Sequence, residues 1–397
     1  MRISRVDTIR HAQHQNLVFV QLHTDDGLVG LGETFFGPRT VEAFIHETLV
    51  PALFRLDVDP AGAGPDFSGY VGYSSSGAET RANAAVDIAL WDLRAQALGE
   101  PLHRLLGSGT RTALPVYNTC AGPTYLQVGH SVAPANWGAD GAGRYEDLSG
   151  FLERPAELAA ELLDQGIGAM KIWPFDTAAE ASQGQYISGP DLAAAIAPVE
   201  AIRASVGNRM DIMVELHGLW NLPMAERIAA ALAPYDLRWI EDPVRPQDFA
   251  AVGRIAAASS TPIATGETLG GAATHRRLLD SAAISVAIAE LAWVGGLTEG
   301  RVVAEQAAAR DVEVAFHDCT GPVGLTAATH LALASPNATV QEFVRAFYHG
   351  WYADLVTALP PIVDGCIEPP PGAGLGIALQ PDLATRPGVS MRTSRAS

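Results

Sequence analysis

The sequence predicts an α/β protein: a closed parallel barrel of alternating strands and helices, carrying an additional α+β domain. Three observations predict it. The chain has 397 residues, enough for a (β/α) barrel plus one further domain. From residue 114 to about 343, short apolar strands alternate with alanine-rich helical stretches. The first 113 residues open instead with a hairpin pattern followed by helices.

Residues 1–113 are expected to form the additional domain. Leu17-Val-Phe-Val-Gln-Leu-His-Thr, the turn Asp25-Asp-Gly27 and the apolar Leu28-Val-Gly that follows have the form strand, turn, strand. Helix is expected over Thr80–Leu98, where Ala84, Ile88, Trp91 and Ala95 recur at helical spacing and Gly99 ends the run.

Residues 114–343 are expected to form the barrel. The strands fall at 114–120, 168–173, 210–216, 237–241, 262–266, 284–289, 312–317 and 339–343, with helices at 191–205, 223–233 and 298–310 among the connections. Two connections are long, 121–150 and 174–190. Both follow strand ends, which places them on the catalytic rim of a barrel as candidate lids. The remainder, 344–397, contains Pro369-Pro-Pro-Gly and has no place in a closed barrel, so it is expected to pack back on the first domain.

Composition narrows the function. With 48% hydrophobic and 18% charged residues the chain can bury a large core. Its net charge of −18 repels phosphate backbones and anionic lipid, which excludes nucleic acid and membrane surfaces as natural partners. An acidic protein that takes an acidic substrate needs a local cation. The three cysteines, Cys120, Cys319 and Cys366, are scattered, with no zinc-knuckle spacing, and fit a reducing cytoplasm. No run is apolar for the roughly 18 residues a membrane span needs, and no apolar segment follows the early arginines as in a signal peptide. Of the 26 basic residues, 25 are arginine and the single lysine is Lys171. A lone lysine in such a background is a candidate for proton chemistry that a guanidinium cannot do.

Three barrel strands end in an acid: Glu215 after Met213-Val, Glu241 after Trp239-Ile, and Glu267 after Ala264-Thr-Gly. Each stands 26 residues after the last, one βα unit apart, so the three are expected at one height on the rim. Carboxylates that close cannot all remain ionised without a cation, and hard oxygen donors suit Mg²⁺. Lys171 ends the strand before Glu215, and His317 ends a strand two after Glu267, so the two flank the expected metal from opposite sides. Both are residue types whose neutral forms serve as bases. Glu290, at the end of the intervening strand, is placed to bond one ring nitrogen of His317.

These residues resemble the enolase superfamily, mandelate racemase subgroup. The resemblance rests on Glu215, Glu241-Asp-Pro, Gly266-Glu267, Lys171, Gly295-Gly-Leu-Thr-Glu299 and His317. Thr24-Asp-Asp-Gly with Gly32-Glu33, Ala89-Leu-Trp-Asp-Leu and Gly374-Leu-Gly extend it over essentially the whole chain. It implies a modified (β/α)₇β barrel capped by an α+β domain built from both termini, and a symmetric homo-oligomer. It also implies Mg²⁺ on Glu215, Glu241 and Glu267, acid/base roles for Lys171 and for His317 with Glu290, and proton abstraction next to a carboxylate. Glu342, in Val340-Gln-Glu342-Phe, matches the family's electrophilic glutamate, which is protonated to hydrogen-bond the enediolate oxygen. Glu215-Leu-His217 resembles the Asp-x-His of acid-sugar dehydratases, which implies that His217 protonates a departing hydroxyl. The family's usual Lys-x-Lys is here Lys171-Ile-Trp173, so one ammonium is missing beside Lys171.

The reaction expected on this basis is β-elimination from a sugar acid to a 2-keto-3-deoxy acid, by loss of hydroxyl or by opening of a 3,6-anhydro ring. The last strand and its tail, Gln341 to Tyr352, are similar to anhydrogalactonate cycloisomerases. The alternatives are racemisation or epimerisation of a 2-hydroxy acid between Lys171 and His317, and a non-catalytic sugar-acid binding protein. A metal-free glycoside hydrolase needs two flanking acids and fits three acids in step badly. Substrate contacts are expected from His14, Phe35 and Trp173 and from the rim segment 121–150.

Overall fold

The computed structural model describes residues 1–60, 77–107, 111–126, 137 and 145–396. Two sheets organise them. The first is antiparallel, with strands β1 (Ile3–His11), β2 (His14–Thr24) and β3 (Val29–Phe35) from the start of the chain and β14 (Val389–Arg395) from its end. Their order is β14-β1-β2-β3, with Val6 opposite Ser394 and Val20 opposite Gly32. The tail thus returns to complete the sheet that the first residues begin.

The helix Ala78–Leu98 packs on β3 because both surfaces are stripped of side chains. A methyl group at Gly32 would overlap the carbonyl of Ala85, and one at Gly30 that of Ala89. On the same helix, Asp92 accepts the backbone N–H of Leu31 at 2.9 Å and of Leu375 at 2.8 Å, tying helix, sheet and tail together. Burial pushes its pKa up to about 6.

The second sheet holds eight parallel strands: β4 (Leu114–Thr119), β5 (Ala169–Ile172), β6 (Asp211–Glu215), β7 (Trp239–Glu241), β8 (Ile263–Thr265), β9 (Val286–Ala289), β10 (Glu313–Phe316) and β11 (Gln341–Phe343). They run in sequence order from β4 to β10, and β11 pairs with β4. Between β10 and β11 side chains replace the backbone ladder: Gln341 Nε2 donates to Phe316 O at 3.0 Å, and the Val344 N–H to Asp318 Oδ2 at 3.2 Å. The barrel interior is filled by one large pair, Tyr117 edge-on to Trp239 at 5.4 Å, with Ala169, Ala264 and Ala315 leaving room for it. A short hairpin, β12 (Ile362–Val363) and β13 (Cys366–Ile367), pairs with the start of β4.

Helices begin where the sequence supplies caps. Ser188, Asn221 and Asp248 each accept a backbone N–H of the helix that follows, those helices being Gly189–Val206, Leu222–Leu232 and Phe249–Ala258. The 174–190 connection is not an open lid. Phe175, Ala179 and Ile187 are buried and a helix forms over Asp176–Ser182, because this stretch has an apolar face to hide. Of the 121–150 segment, residues 127–136 and 138–144 lie outside the described residues.

The antiparallel sheet domain docks on the barrel mouth through β3. Thr34 Oγ1 donates to Ala292 O at 2.7 Å, and Trp293 Nε1 to Phe35 O at 3.2 Å. Glu33 accepts the N–H groups of Val323 (3.1 Å) and Gly324 (2.9 Å) in the first turn of the helix Pro322–Ala334.

Candidate active site

Glu215 and Glu241 close β6 and β7 and lie on the same rung of the sheet. Glu267 does not share that rung. Glu241 pairs with Ala264, so Glu267 stands three residues further on, beyond the end of β8. The turn that brings it back is made by Gly266 at φ +127°, where a side chain is strained. Asp242 holds that turn, accepting the Thr265 hydroxyl at 2.5 Å and the Gly266 N–H at 3.3 Å. One oxygen from each of Glu215, Glu241 and Glu267 then lies within 4.8 Å of the others. Equal spacing in sequence thus conceals two different local geometries.

This acid cluster is too negative to stand alone. Burial, only partly offset by Lys171, raises the Glu241 pKa to about 8, and burial likewise raises Glu215. Three converging carboxylate oxygens are the donor set that a hard divalent cation takes. In their present arrangement Lys171 serves as counter-ion. Its Nζ is 2.7 Å from Glu241, 3.0 Å from Glu342 and 3.6 Å from Glu215. Burial works to lower the lysine pKa, but those carboxylates outweigh it and raise the pKa well above the ordinary value.

Glu342 is held from three sides, by Lys171, by the Thr119 hydroxyl and by the Asp318 N–H at 3.1 Å. Burial favours its neutral form. The nearby charges of Lys171 and His317 prevail and lower its pKa, so this arrangement keeps it ionised, the reverse of the protonated state expected from the resemblance.

His317 leaves the end of β10 with Nδ1 2.7 Å from Glu290 Oε2 and Nε2 3.2 Å from Glu267 Oε2. The second oxygen of Glu290 accepts the Ala292 N–H at 2.7 Å, so its carboxylate cannot swing away. Burial opposes a charge on His317, but Glu267, Glu342 and Glu290 raise its pKa well above 6.5.

His217 follows β6 by two residues, at φ +51°. Its N–H donates to Glu215 Oε1 at 2.6 Å, and its Nδ1 lies 2.6 Å from Asp176 Oδ2. Burial acts against its protonation, but Asp176 and then Glu215 push the pKa up to about 10. The cavity is also lined by Lys171, Glu215, Glu267, Thr119 and Cys319. Its walls are apolar: Phe35, Phe36, Tyr125, Leu126, Trp173 and Trp293. Trp173 packs between Tyr125 at 5.3 Å and His217 at 5.9 Å.

Of the expected substrate contacts, Phe35 and Trp173 line this cavity. His14 does not; it stacks on Trp351 at 4.6 Å. Asp176, Thr119 and Trp293 join the site without a signal in the sequence, whereas Tyr125 belongs to the 121–150 rim segment from which substrate contacts are expected. The nearest to such a signal is the position of Asp176, five residues beyond Lys171 on the same strand-end loop.

Comparison with known proteins agrees with this geometry. Residues 5–107 match the N-terminal domain of the mandelate racemase / muconate lactonizing enzyme family, and 154–383 the enolase C-terminal domain-like family. A D-galactonate dehydratase of Ralstonia nicotianae is 29% identical over 393 residues, covering 96% of this chain and 93% of that protein. One from Xanthomonas campestris pv. campestris is 28% identical, with 97% and 94% covered. Among solved structures, an enolase of the mandelate racemase subgroup from Agrobacterium tumefaciens is 46% identical with a TM-score of 0.87, covering 100% of this chain and 99% of that one. An enolase protein from the Sargasso Sea environmental genome is 39% identical with the same TM-score and coverage. Two-domain match, barrel and strand-end acids together place the chain in the mandelate racemase / muconate lactonizing enzyme family of the enolase superfamily.

Proposed function

We propose that this protein is an Mg²⁺-dependent acid-sugar dehydratase. It removes the proton on the carbon next to the carboxylate and expels the oxygen substituent on the neighbouring carbon, leaving an enol that tautomerises to a 2-keto-3-deoxy acid. The observation that carries the reading is the convergence of Glu215, Glu241 and Glu267 between Lys171 on one side and His317 on the other. The three glutamates would hold the ion, which when bound supplies Lewis-acid stabilisation of charge developing on the substrate carboxylate.

The remaining work belongs to the chain. His317 Nε2 takes the proton, while Glu290 fixes Nδ1–H toward itself and away from the substrate. Glu267, which does most to hold a proton on His317, is also one of the three glutamates that would hold the ion, and a Glu267 so engaged would leave His317 Nε2 free to act as base. His217, protonated and steadied by Asp176, donates to the departing oxygen. Lys171, which lines the cavity, orients the substrate carboxylate, and Glu342 behind it holds the ammonium in place. The full-length relatives named D-galactonate dehydratase support elimination as the reaction class.

A second reading, opening of a 3,6-anhydro ring by the same steps, is favoured by the cavity walls. Phe35, Phe36, Trp173 and Trp293 offer ring faces and few hydroxyl partners, which suits a compact cyclic acid better than an extended polyol. The test is a panel of acid sugars, anhydro acids included, assayed with Mg²⁺ for 2-keto product and for deuterium exchange at C2. Glu241→Gln and His317→Asn are each expected to abolish both signals. Exchange without any keto product, across the whole panel, would instead assign the site to 1,1-proton transfer.

A further inference from the structure

Besides the catalytic cavity, the antiparallel sheet domain carries an open cleft of about 670 Å³. It lies where β1 ends, β2 begins and β14 starts, with the turn after β3 as its far wall. Arg10, His11, Gln15, Arg39, Thr40 and Ser390 line it, every one able to donate a hydrogen bond, and none of the described lining residues is acidic. In a chain of net charge −18, a wall of cationic and neutral donors free of carboxylates is the exception.

The donors are also available. Arg10 spends Nε and one Nη on Glu42, at 3.0 and 3.2 Å, and retains its other Nη. Arg39 is exposed and forms no ion pair among the described residues. His11 Nδ1 accepts the Gln13 N–H at 3.1 Å, which leaves the ring proton on Nε2. Arg386 stands near enough to add its field at His11. The cleft shares no described lining residue with the catalytic cavity. The turn between them places Phe36 (φ +70°) in the cavity wall and Gly37 (φ +66°) in the cleft wall.

We propose that this cleft binds a small anion carrying carboxylate or phosphate groups, with the Arg39 fork as its principal contact and Arg10 and His11 beside it. Titration calorimetry of the full chain at low salt, with inorganic phosphate in one arm and succinate in the other, tests it. Saturable binding of at least one anion is expected. Arg39→Glu should weaken it about ten-fold or more, and Arg39→Lys, which keeps the charge but loses the fork, should weaken it by less than Arg39→Glu. The arm that responds identifies the anion class. Absence of saturable binding in both arms, or binding that Arg39→Glu leaves unchanged, overturns the proposal. So does a change in sedimentation on Arg39→Glu, which would assign the cleft to a contact between copies of this chain. Arg39 is exposed, so its variants are expected to fold, and a melting curve of each checks this.

Discussion

Asp176 Oδ2 lies 2.6 Å from His217 Nδ1, and this contact to a fully buried carboxylate determines which ring nitrogen faces the cavity. With Nδ1–H held by the carboxylate, Nε2 is the atom left for the substrate. Asp176→Asn keeps the shape and removes the charge that keeps His217 protonated. Keto-acid formation is expected to fall by roughly 10²-fold, within the range that one general acid contributes. Deuterium exchange at C2, the step proposed for His317, should continue. Equal loss of both signals would place Asp176 in the folding of the loop and not in the elimination step.

The position of Glu267 rests on Asp242. Without a carboxylate to receive the Thr265 hydroxyl and the Gly266 N–H, the turn at φ +127° loses its brace. Asp242→Ala, which removes the accepting oxygen, is therefore expected to weaken Mg²⁺ binding by about 10- to 100-fold, as loss of partners behind a ligand generally does. Calorimetric titration of Mg²⁺ into both proteins measures it. Unchanged affinity would mean that Glu267 holds its place unaided.

Glu33 gives stability a pH dependence of predictable sign. Burial, only partly offset by its bonds to Gly324 and Val323, raises its pKa from 4.5 to about 8. A carboxyl whose folded pKa is raised binds more protons folded than unfolded between those two values. The native state therefore loses stability as pH rises from 4.5 toward 8, at a slope of up to about 1.4 kcal/mol per pH unit. Glu33→Gln lacks this proton. Urea melts at pH 5 and pH 8 should show the wild type losing more stability than Glu33→Gln over that interval. Parallel losses would show that Glu33 does not titrate there.

What was legible in the sequence is what local periodicity encodes. Eight apolar strands, the helices between them and acids at strand ends are each written in a few consecutive residues, as in Met213-Val-Glu215 and Trp239-Ile-Glu241. What depends on a turn or on closure was not. The spacing of Glu267 predicts a rung it does not occupy, because Gly266 reverses the path. Thr119 reaches Glu342 only because β11 closes against β4, and Trp293 enters the wall only because β3 docks above it. His14 sits at a hairpin that points toward Trp351 instead of the cavity, a direction set by tertiary packing.

A buried ion pair fixes the far end of the rim segment. Arg345, fully buried just after β11, donates Nε to Asp147 Oδ2 at 3.0 Å and an Nη to the other oxygen, while Asn118 Nδ2 bonds the same carboxylate at 2.9 Å. The Arg345 N–H bonds Asn118 Oδ1 at 2.8 Å, and the guanidinium lies 4.4 Å from the Tyr145 ring centre. The pair thus fastens the helix Asp147–Glu153 to the closing strand of the barrel. Arg345→Met fills the space but strands the Asp147 carboxylate in the interior, so about 3–5 kcal/mol of stability should be lost. Adding Asp147→Asn to Arg345→Met removes the stranded charge and should recover part of that loss. Denaturant melts of the single and double variants decide it: a double variant no more stable than Arg345→Met would show that the cost lies in packing around the guanidinium and not in an orphaned charge.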